Sequence, residues 1–195
     1  MNPDDRPAKT TPFNVATLYQ ELPYSDVREI ANERRLPYAV ATANITGDLN
    51  IGVIIRTACV FAATEVFMFG KKKYDRRSTV GAHHYLDLHH YESKNEQDLF
   101  DWTEALQIIR VNGYIPVIIE QGGTSIEQFI PRNIPGKICL VFGAEDCGIP
   151  EDVCQKEYWF TIPQPGILRS LNVSTAAGIA TYHTAYGLGF SSPAK

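Results

Sequence analysis

The chain has no long hydrophobic run. None of its 195 residues fall in an apolar stretch approaching the roughly 20 residues that a membrane-spanning helix needs. The opening Met1-Asn2-Pro3-Asp4-Asp5-Arg6 is not a signal peptide, so the expectation is a soluble, cytoplasmic protein without a membrane partner. Its four cysteines, Cys59, Cys139, Cys147 and Cys154, match no zinc or redox spacing. The doublets His83-His84 and His89-His90 have no carboxylate or cysteine at ligand spacing, so no metal site is expected. An excess of positive charge is also missing. With 18 Lys and Arg against 22 Asp and Glu, the net charge of −4 excludes a protein that coats nucleic acid by bulk electrostatics. There is neither a Gly-x-Gly-x-x-Gly run nor a Gly-x-x-x-x-Gly-Lys-Ser/Thr run, so a dinucleotide fold and a P-loop both lack support.

What is present suits one α/β domain with a sizeable core, since 44% of the residues are hydrophobic and 11% aromatic. Residues 1–20 are polar and proline-containing and read as a flexible N-terminal tail, with a single domain over 21–195. Asp26-Val27-Arg28-Glu29 has the form of a capping box opening a short helix, 25–35, before a core at 36–188. Short β-prone apolar runs at 38–43, 65–70, 114–119, 137–142 and 158–162 read as strands. Between them, helical spacing appears at 51–62, at 96–111 with Leu99, Phe100, Trp102, Leu106 and Ile109 on one face, and at 172–188. Alternating helices and nearly continuous apolar strands predict a mostly parallel sheet flanked by helices on both faces.

Ligands of such sheets bind beyond the C-terminal strand ends. Three of those ends carry loops rich in glycine or proline, 120–123, 143–148 and 163–172. Their main-chain groups could hold a polar, adenosine-like ligand while apolar neighbours pack its ring. The last is the most distinctive. Pro163, Pro165 and Gly166 stiffen a turn that presents Arg169, Ser170 and Asn172 at the mouth of a small-residue helix. A second cationic element is the segment Lys71-Lys72-Lys73-Tyr74-Asp75-Arg76-Arg77.

Three segments resemble the motifs of the SpoU family of RNA ribose 2′-O-methyltransferases. Asn50-Ile51-Gly52-Val53-Ile54-Ile55-Arg56-Thr57-Ala58 is similar to the first. Phe142-Gly143-Ala144-Glu145 with Gly148 is similar to the second, and Ile162-Pro163 through Ser170-Leu171-Asn172-Val173-Ser174 to the third. They occur in order across about residues 36–188, and the third, with Glu120-Gln121 before it, resembles most the branch that methylates a guanosine ribose in tRNA. Asp146-Cys147 departs from the small or basic residues more usual there.

The resemblance implies a C-terminal deep trefoil knot, S-adenosylmethionine as cofactor, a homodimer, and RNA as partner, tRNA favoured over rRNA. It implies a catalytic set of Arg56, Asn50, Glu145, Ser170 and Asn172, and cofactor contacts from Gly143, Ile162, Leu171, Ile119 and Glu120. RNA is expected to meet Arg56, Arg169, Lys71, Lys72, Lys73, Arg76 and Arg77. The family usually gives the arginine of the first motif the central role, sometimes as general base. A guanidinium with a pKa above about 12 is a poor base, so phosphate binding and polarisation of the hydroxyl, assisted by Ser170, is the preferred role for Arg56. Asn172 also stands where a helix N-cap belongs. The same chemistry on rRNA, or a catalytically weak RNA- or S-adenosylmethionine-binding partner subunit, are the alternative readings.

Overall fold

The computed structural model describes residues 14–93 and 99–190. Six strands form one sheet: β1 (Tyr38–Ala43), β2 (Glu65–Phe69), β3 (Asp87–Tyr91), β4 (Tyr114–Ser125), β5 (Lys137–Phe142) and β6 (Tyr158–Thr161). The helices are α1 (Tyr24–Glu33), α2 (Asp48–Val60), the single turn α3 (Arg76–Thr79), α4 (Trp102–Val111), the short α5 (Glu151–Cys154) and α6 (Val173–Gly187). The strand order is β3-β2-β1-β5-β4-β6, and every pair is parallel.

Alternation along the strands divides the core into two layers. Tyr38, Val40, Val66, Met68, Leu140, Phe142 and Val117 face α2 and α6, meeting Ile51, Ile54, Ile55 and Ala58 of the first and Ala177 and Ala180 of the second. Ala39, Ala41, Phe67, Phe69, Cys139, Val141 and Ile118 face α4, through Ala105, Leu106 and Ile109. Both faces are covered, which is why these strands read as continuous apolar runs. The alanines of α6 let it lie close to the sheet. At Gly52 of α2 an added Cβ would stand 1.8 Å from Ser78 Oγ, so α3 is seated where only glycine fits.

Several boundaries differ from the sequence reading. The fourth helix begins at Trp102, capped by Asp101, whose side chain accepts from Glu104 N at 2.9 Å. Leu99 and Phe100 precede it: Leu99 is exposed, and Phe100 is held by Asn44, which exchanges two hydrogen bonds with its backbone. Residues 96–98 of the expected helix lie outside the described residues. The first helix starts at Tyr24 with Pro23 at the cap, so Asp26 lies inside the first turn rather than forming a capping box. Strand β4 does not stop at Ile119. It passes a bulge and pairs with β6 again at Thr124 and Ser125. Strand β3, containing His89-His90, was not anticipated, because its histidines interrupt the apolar pattern. The first 13 residues of the expected tail lie outside the described residues; from Asn14 onward, Val15, Tyr19 and Leu22 pack on Val27 and Tyr85.

The opposite edge of the sheet, at the strand N-termini, is held by charge. Asp87 accepts from Arg28 Nη2 at 3.0 Å and from Arg35 Nη1 at 2.7 Å. Partial burial opposes ionisation of Asp87, but the Arg35 hydrogen bond and the two positive charges outweigh it and hold its carboxyl below the usual range. The Asp87→Asn variant should therefore lose about 1 kcal/mol of stability, a figure kept small because the pair is half exposed. A carboxylate with a depressed folded pKa stabilises above its unfolded value and ceases to do so as pH falls through the folded one. Urea midpoints of the two proteins should accordingly differ at pH 7 and converge below about pH 3.

Candidate active site

Strand order places the site. The chain runs outward from β1 through β2 to β3, then returns on the far side of β1 to β4, β5 and β6. Successive connections thus leave in opposite directions at the β1/β5 boundary, the position where open α/β sheets bind ligands. The loop after β1 leads into α2, and the loop after β5 carries Glu145 across to it.

There a polar chain links four segments. Glu145 Oε2 accepts from Thr46 N and Oγ1 at 3.3 and 3.4 Å, and its Oε1 accepts from Asn50 Nδ2 at 2.8 Å. Asn50 Oδ1 accepts from Asn172 Nδ2 at 3.2 Å. Asn172 Oδ1 in turn accepts from Ser174 N at 2.9 Å and Ser174 Oγ at 2.6 Å, capping α6. Gly47, the residue before α2, has no side chain to cap the helix. The Glu145 carboxylate lies close by, its Oε1 3.2 Å from where a Gly47 Cβ would stand, and the helix dipole favours a negative charge there. Three of the expected catalytic residues, Asn50, Glu145 and Asn172, therefore form one connected unit.

Beside this unit lies a cleft of about 500 Å³ between the ends of β4, β5 and β6. All five residues expected to touch a cofactor line it: Ile119, Glu120, Gly143, Ile162 and Leu171. Ser170, Arg169 and Glu145 line it as well. At Gly143 a Cβ would meet Ile149 Cγ1 at 2.6 Å and the Gly148 carbonyl carbon at 2.9 Å, so the fold itself leaves no room there for a side chain. Cys147 is also on the wall. Desolvation and a hydrogen bond with Asp146 push its thiol pKa up, which disfavours thiolate chemistry at neutral pH.

Arg56 stands apart from the cleft. It lies on the exposed face of α2 with Leu49, Val53 and Val60, and makes no hydrogen bond or ion pair with a described residue. The basic segment flanks the same helix, for Asp75 N donates to Asp48 O at 3.2 Å and Ser78 touches Gly52. Its cations are not equally free. Arg77 is bound to Asp75 at 2.5 Å and Lys73 approaches Glu92 at 3.9 Å, whereas Lys72 and Arg76 form no ion pair among the described residues. The histidine doublets serve the fold: His83 Nδ1 meets Thr79 Oγ1 at 2.6 Å, His89 pairs with Glu65 at 2.7 Å, and His90 Nε2 meets Gly70 O at 3.0 Å.

With this geometry in hand, comparison with known proteins is decisive. The model of the SpoU rRNA Methylase family matches residues 37–182. The chain belongs to that family. Among curated proteins it is 24% identical over 161 residues to the 23S rRNA (guanosine-2′-O-)-methyltransferase RlmB of Acinetobacter baylyi, a match covering 80% of this chain and 62% of that one. Among solved structures, the TrmH/SpoU tRNA modifying enzyme of A. aeolicus superposes with a TM-score of 0.68 at 20% identity, over 84% of this chain and 81% of that one. The AdoMet-bound rRNA methyltransferase of Sinorhizobium meliloti gives 0.66 at 22% identity, over 85% and 61%. This SpoU member thus spans under two thirds of the length of the curated relative.

Two residues at the candidate site were given no role by the sequence reading. Thr46 has one only through its contact with Glu145, 99 residues away. Gln121 was noticed beside Glu120 but given no contact; its side chain reaches Arg169 O at 2.8 Å. The double role of Asn172 is separable. Asn172→Ala should lower unfolding stability by about 1 kcal/mol through loss of the helix cap. Asn172→Asp should keep that stability, because a carboxylate still accepts from Ser174 N, yet it cannot donate to Asn50. Denaturation midpoints of the two variants against the parent measure this directly.

Proposed function

We propose that this protein transfers a methyl group from S-adenosylmethionine to a ribose 2′-hydroxyl of RNA, with tRNA and its guanosines as the favoured substrate. The observation that carries the reading is the pairing of a cleft of mixed polar and apolar lining at the ends of β4, β5 and β6 with the Asn50–Glu145–Asn172 unit beside it. A volume of about 500 Å³ suits a ligand of this size. Ile119, Ile162 and Leu171 offer apolar surface to an adenine ring, and the carboxylate of Glu145 suits a cation in the same space. AdoMet occupies the related structures from Sinorhizobium meliloti and from the AviRb methyltransferase of Streptomyces viridochromogenes. When bound, S-adenosylmethionine supplies the electrophilic methyl.

The chain's own residues then orient the nucleophile. Ser170, exposed on the cleft wall, hydrogen-bonds the ribose hydroxyl in this reading. Arg56 acts by binding an RNA phosphate through its guanidinium; on the outer face of α2 it does not line the cleft of its own chain. Glu145 fixes Asn50 and the start of α2, so the helix bearing Arg56 has a set position relative to the cleft. Lys71, Lys72, Lys73, Arg76, Arg77 and Arg169 form the RNA-facing cationic surface in this reading. The reading carries with it the C-terminal deep trefoil knot, a cytoplasmic location, and one domain over 21–195. Among the described residues no helix is long and apolar enough to cross a membrane.

A homodimer belongs to the same proposal. Helices α2 and α6 together present Leu49, Val53 and Val60 beside Ile179, Tyr182 and Tyr186, all large and exposed. A second copy would cover this apolar face, and the phosphate-binding Arg56 stands within it. Light scattering at micromolar concentration should give twice the chain mass, and Tyr186→Asp should shift the population toward monomer. A wild-type monomer at all concentrations would overturn this part.

An rRNA substrate is the second reading, favoured by the rRNA guanosine activity named for the Acinetobacter baylyi relative. Labelled methyl transfer to separated tRNA and rRNA fractions, followed by nuclease digestion, distinguishes the two. The expected product is 2′-O-methylguanosine in tRNA. Arg56→Ala should lower transfer at least about 100-fold while S-adenosylmethionine binding by calorimetry stays within about twofold. Full activity in that variant would remove Arg56 from the mechanism.

A further inference from the structure

The cleft is bounded by two long loops, 143–149 from β5 and 163–172 from β6; neither contains a helix or strand, although a bridge between Ala144 and Gly148 closes the first on itself. Something must set the distance between them. The end of β4 lies between these walls. Its backbone is firmly mounted there, for Trp159 Nε1 donates to Glu120 O at 3.1 Å. Gly122 and Gly123 press against the Trp159 side, where added Cβ atoms would fall 2.9 and 2.7 Å from the nearest atoms. Pairing with β6 then resumes beyond the bulge at Thr124.

From this mount two consecutive side chains reach in different directions. Glu120 Oε2 accepts from Ile149 N at 3.1 Å, at the end of the first loop. Gly148 lies close enough that its Cβ would stand 2.7 Å from the same oxygen, and its φ of +62° is a second reason for glycine there. The other carboxylate oxygen accepts from Gln121 N at 2.8 Å. Gln121 Nε2 donates to Arg169 O at 2.8 Å, immediately before Ser170 in the second loop. We infer that Glu120 and Gln121 are positioning residues: they clasp the two cleft loops to the end of β4 and so fix the opening that the cofactor enters and the placement of Ser170.

This assigns Glu120 a different task from direct ligand contact: each of its oxygens accepts from a backbone N–H group in the free protein. It rests on the proposed function only for the identity of the ligand. The clasp itself is a property of the free protein.

The test compares wild type, Glu120→Gln and Gln121→Ala without ligand by residue-resolved amide hydrogen exchange, and then measures S-adenosylmethionine and S-adenosylhomocysteine affinity by calorimetry. An amide in place of the carboxylate keeps the size of Glu120 but weakens acceptance from Ile149 N. Exchange at Ile149 should rise about 5- to 30-fold in Glu120→Gln, and affinity for both ligands should fall at least about fivefold. In Gln121→Ala, exchange should rise across the amides of 167–171 while those of β5 stay unchanged. Methyl transfer by this variant should show a lower kcat with the KM for S-adenosylmethionine altered less, because Ser170 is displaced more than the cofactor walls. Weakened ligand binding in Glu120→Gln with Ile149 exchange unaltered would mean that Glu120 touches the ligand directly, and the clasp would be wrong. Unchanged exchange in both variants would overturn it outright. If wild type bound neither ligand, the proposed function would fail, while the exchange comparison would still decide the clasp.

Discussion

In a sheet whose strands all run parallel, every strand delivers its C-terminal residue to the same edge. That constraint governs this molecule. It gathers the loops after β1, β4, β5 and β6 onto one rim, although they lie far apart in sequence. It also dictates that both faces be buried, because crossovers such as those carrying α2 and α4 must pass over a face of the sheet. The packing of α2 and α6 on one side and α4 on the other follows from it. The rim is left as the place where irregular backbone can be exposed without cost to the core.

Irregular loops on a rim have no register to hold them, so their positions depend on side-chain hydrogen bonds. Glu145 joins the loop after β1 to the start of α2, and through Asn50 to the cap of α6. Glu120 and Gln121 tie the β5 and β6 loops to the end of β4. Each bond is modest by itself, about 1 kcal/mol. Their value lies in fixing relative geometry, since reacting groups held in place avoid the entropy of finding one another. The charged groups of the opposite rim, Arg28, Arg35 and Asp87, do comparable work at the strand N-termini.

Much of the fold was legible because apolar periodicity reports burial. The segments at 38–43, 65–70, 137–142 and 158–162 are strands within a residue of the expected bounds. Errors arose where a residue's partner was remote. Phe100 looked like part of a helical face, yet it is drawn out of the helix by Asn44. The histidines of β3 hid a strand, because Glu65 and Gly70, which occupy ring nitrogens of His89 and His90, cannot be foreseen from spacing. Gly122 and Gly123 looked like a terminating turn, and the indole of Trp159 makes them a bulge within a longer strand.

The sequence by itself determined the alternation of strand and helix, the parallel class of sheet, and the residue types of the three family motifs. These depend on local propensity and on burial, which neighbouring residues encode. Tertiary structure alone decided which motif residues meet. Asn50 and Glu145 are 95 residues apart, and Asn50 and Asn172 are 122 apart; they touch because β5 inserts beside β1. The same insertion leaves Arg56 on an outer helix face, away from the cleft that its motif partners border. Strand order is a long-range choice, settled by how whole layers pack, and no short stretch of the chain carries it.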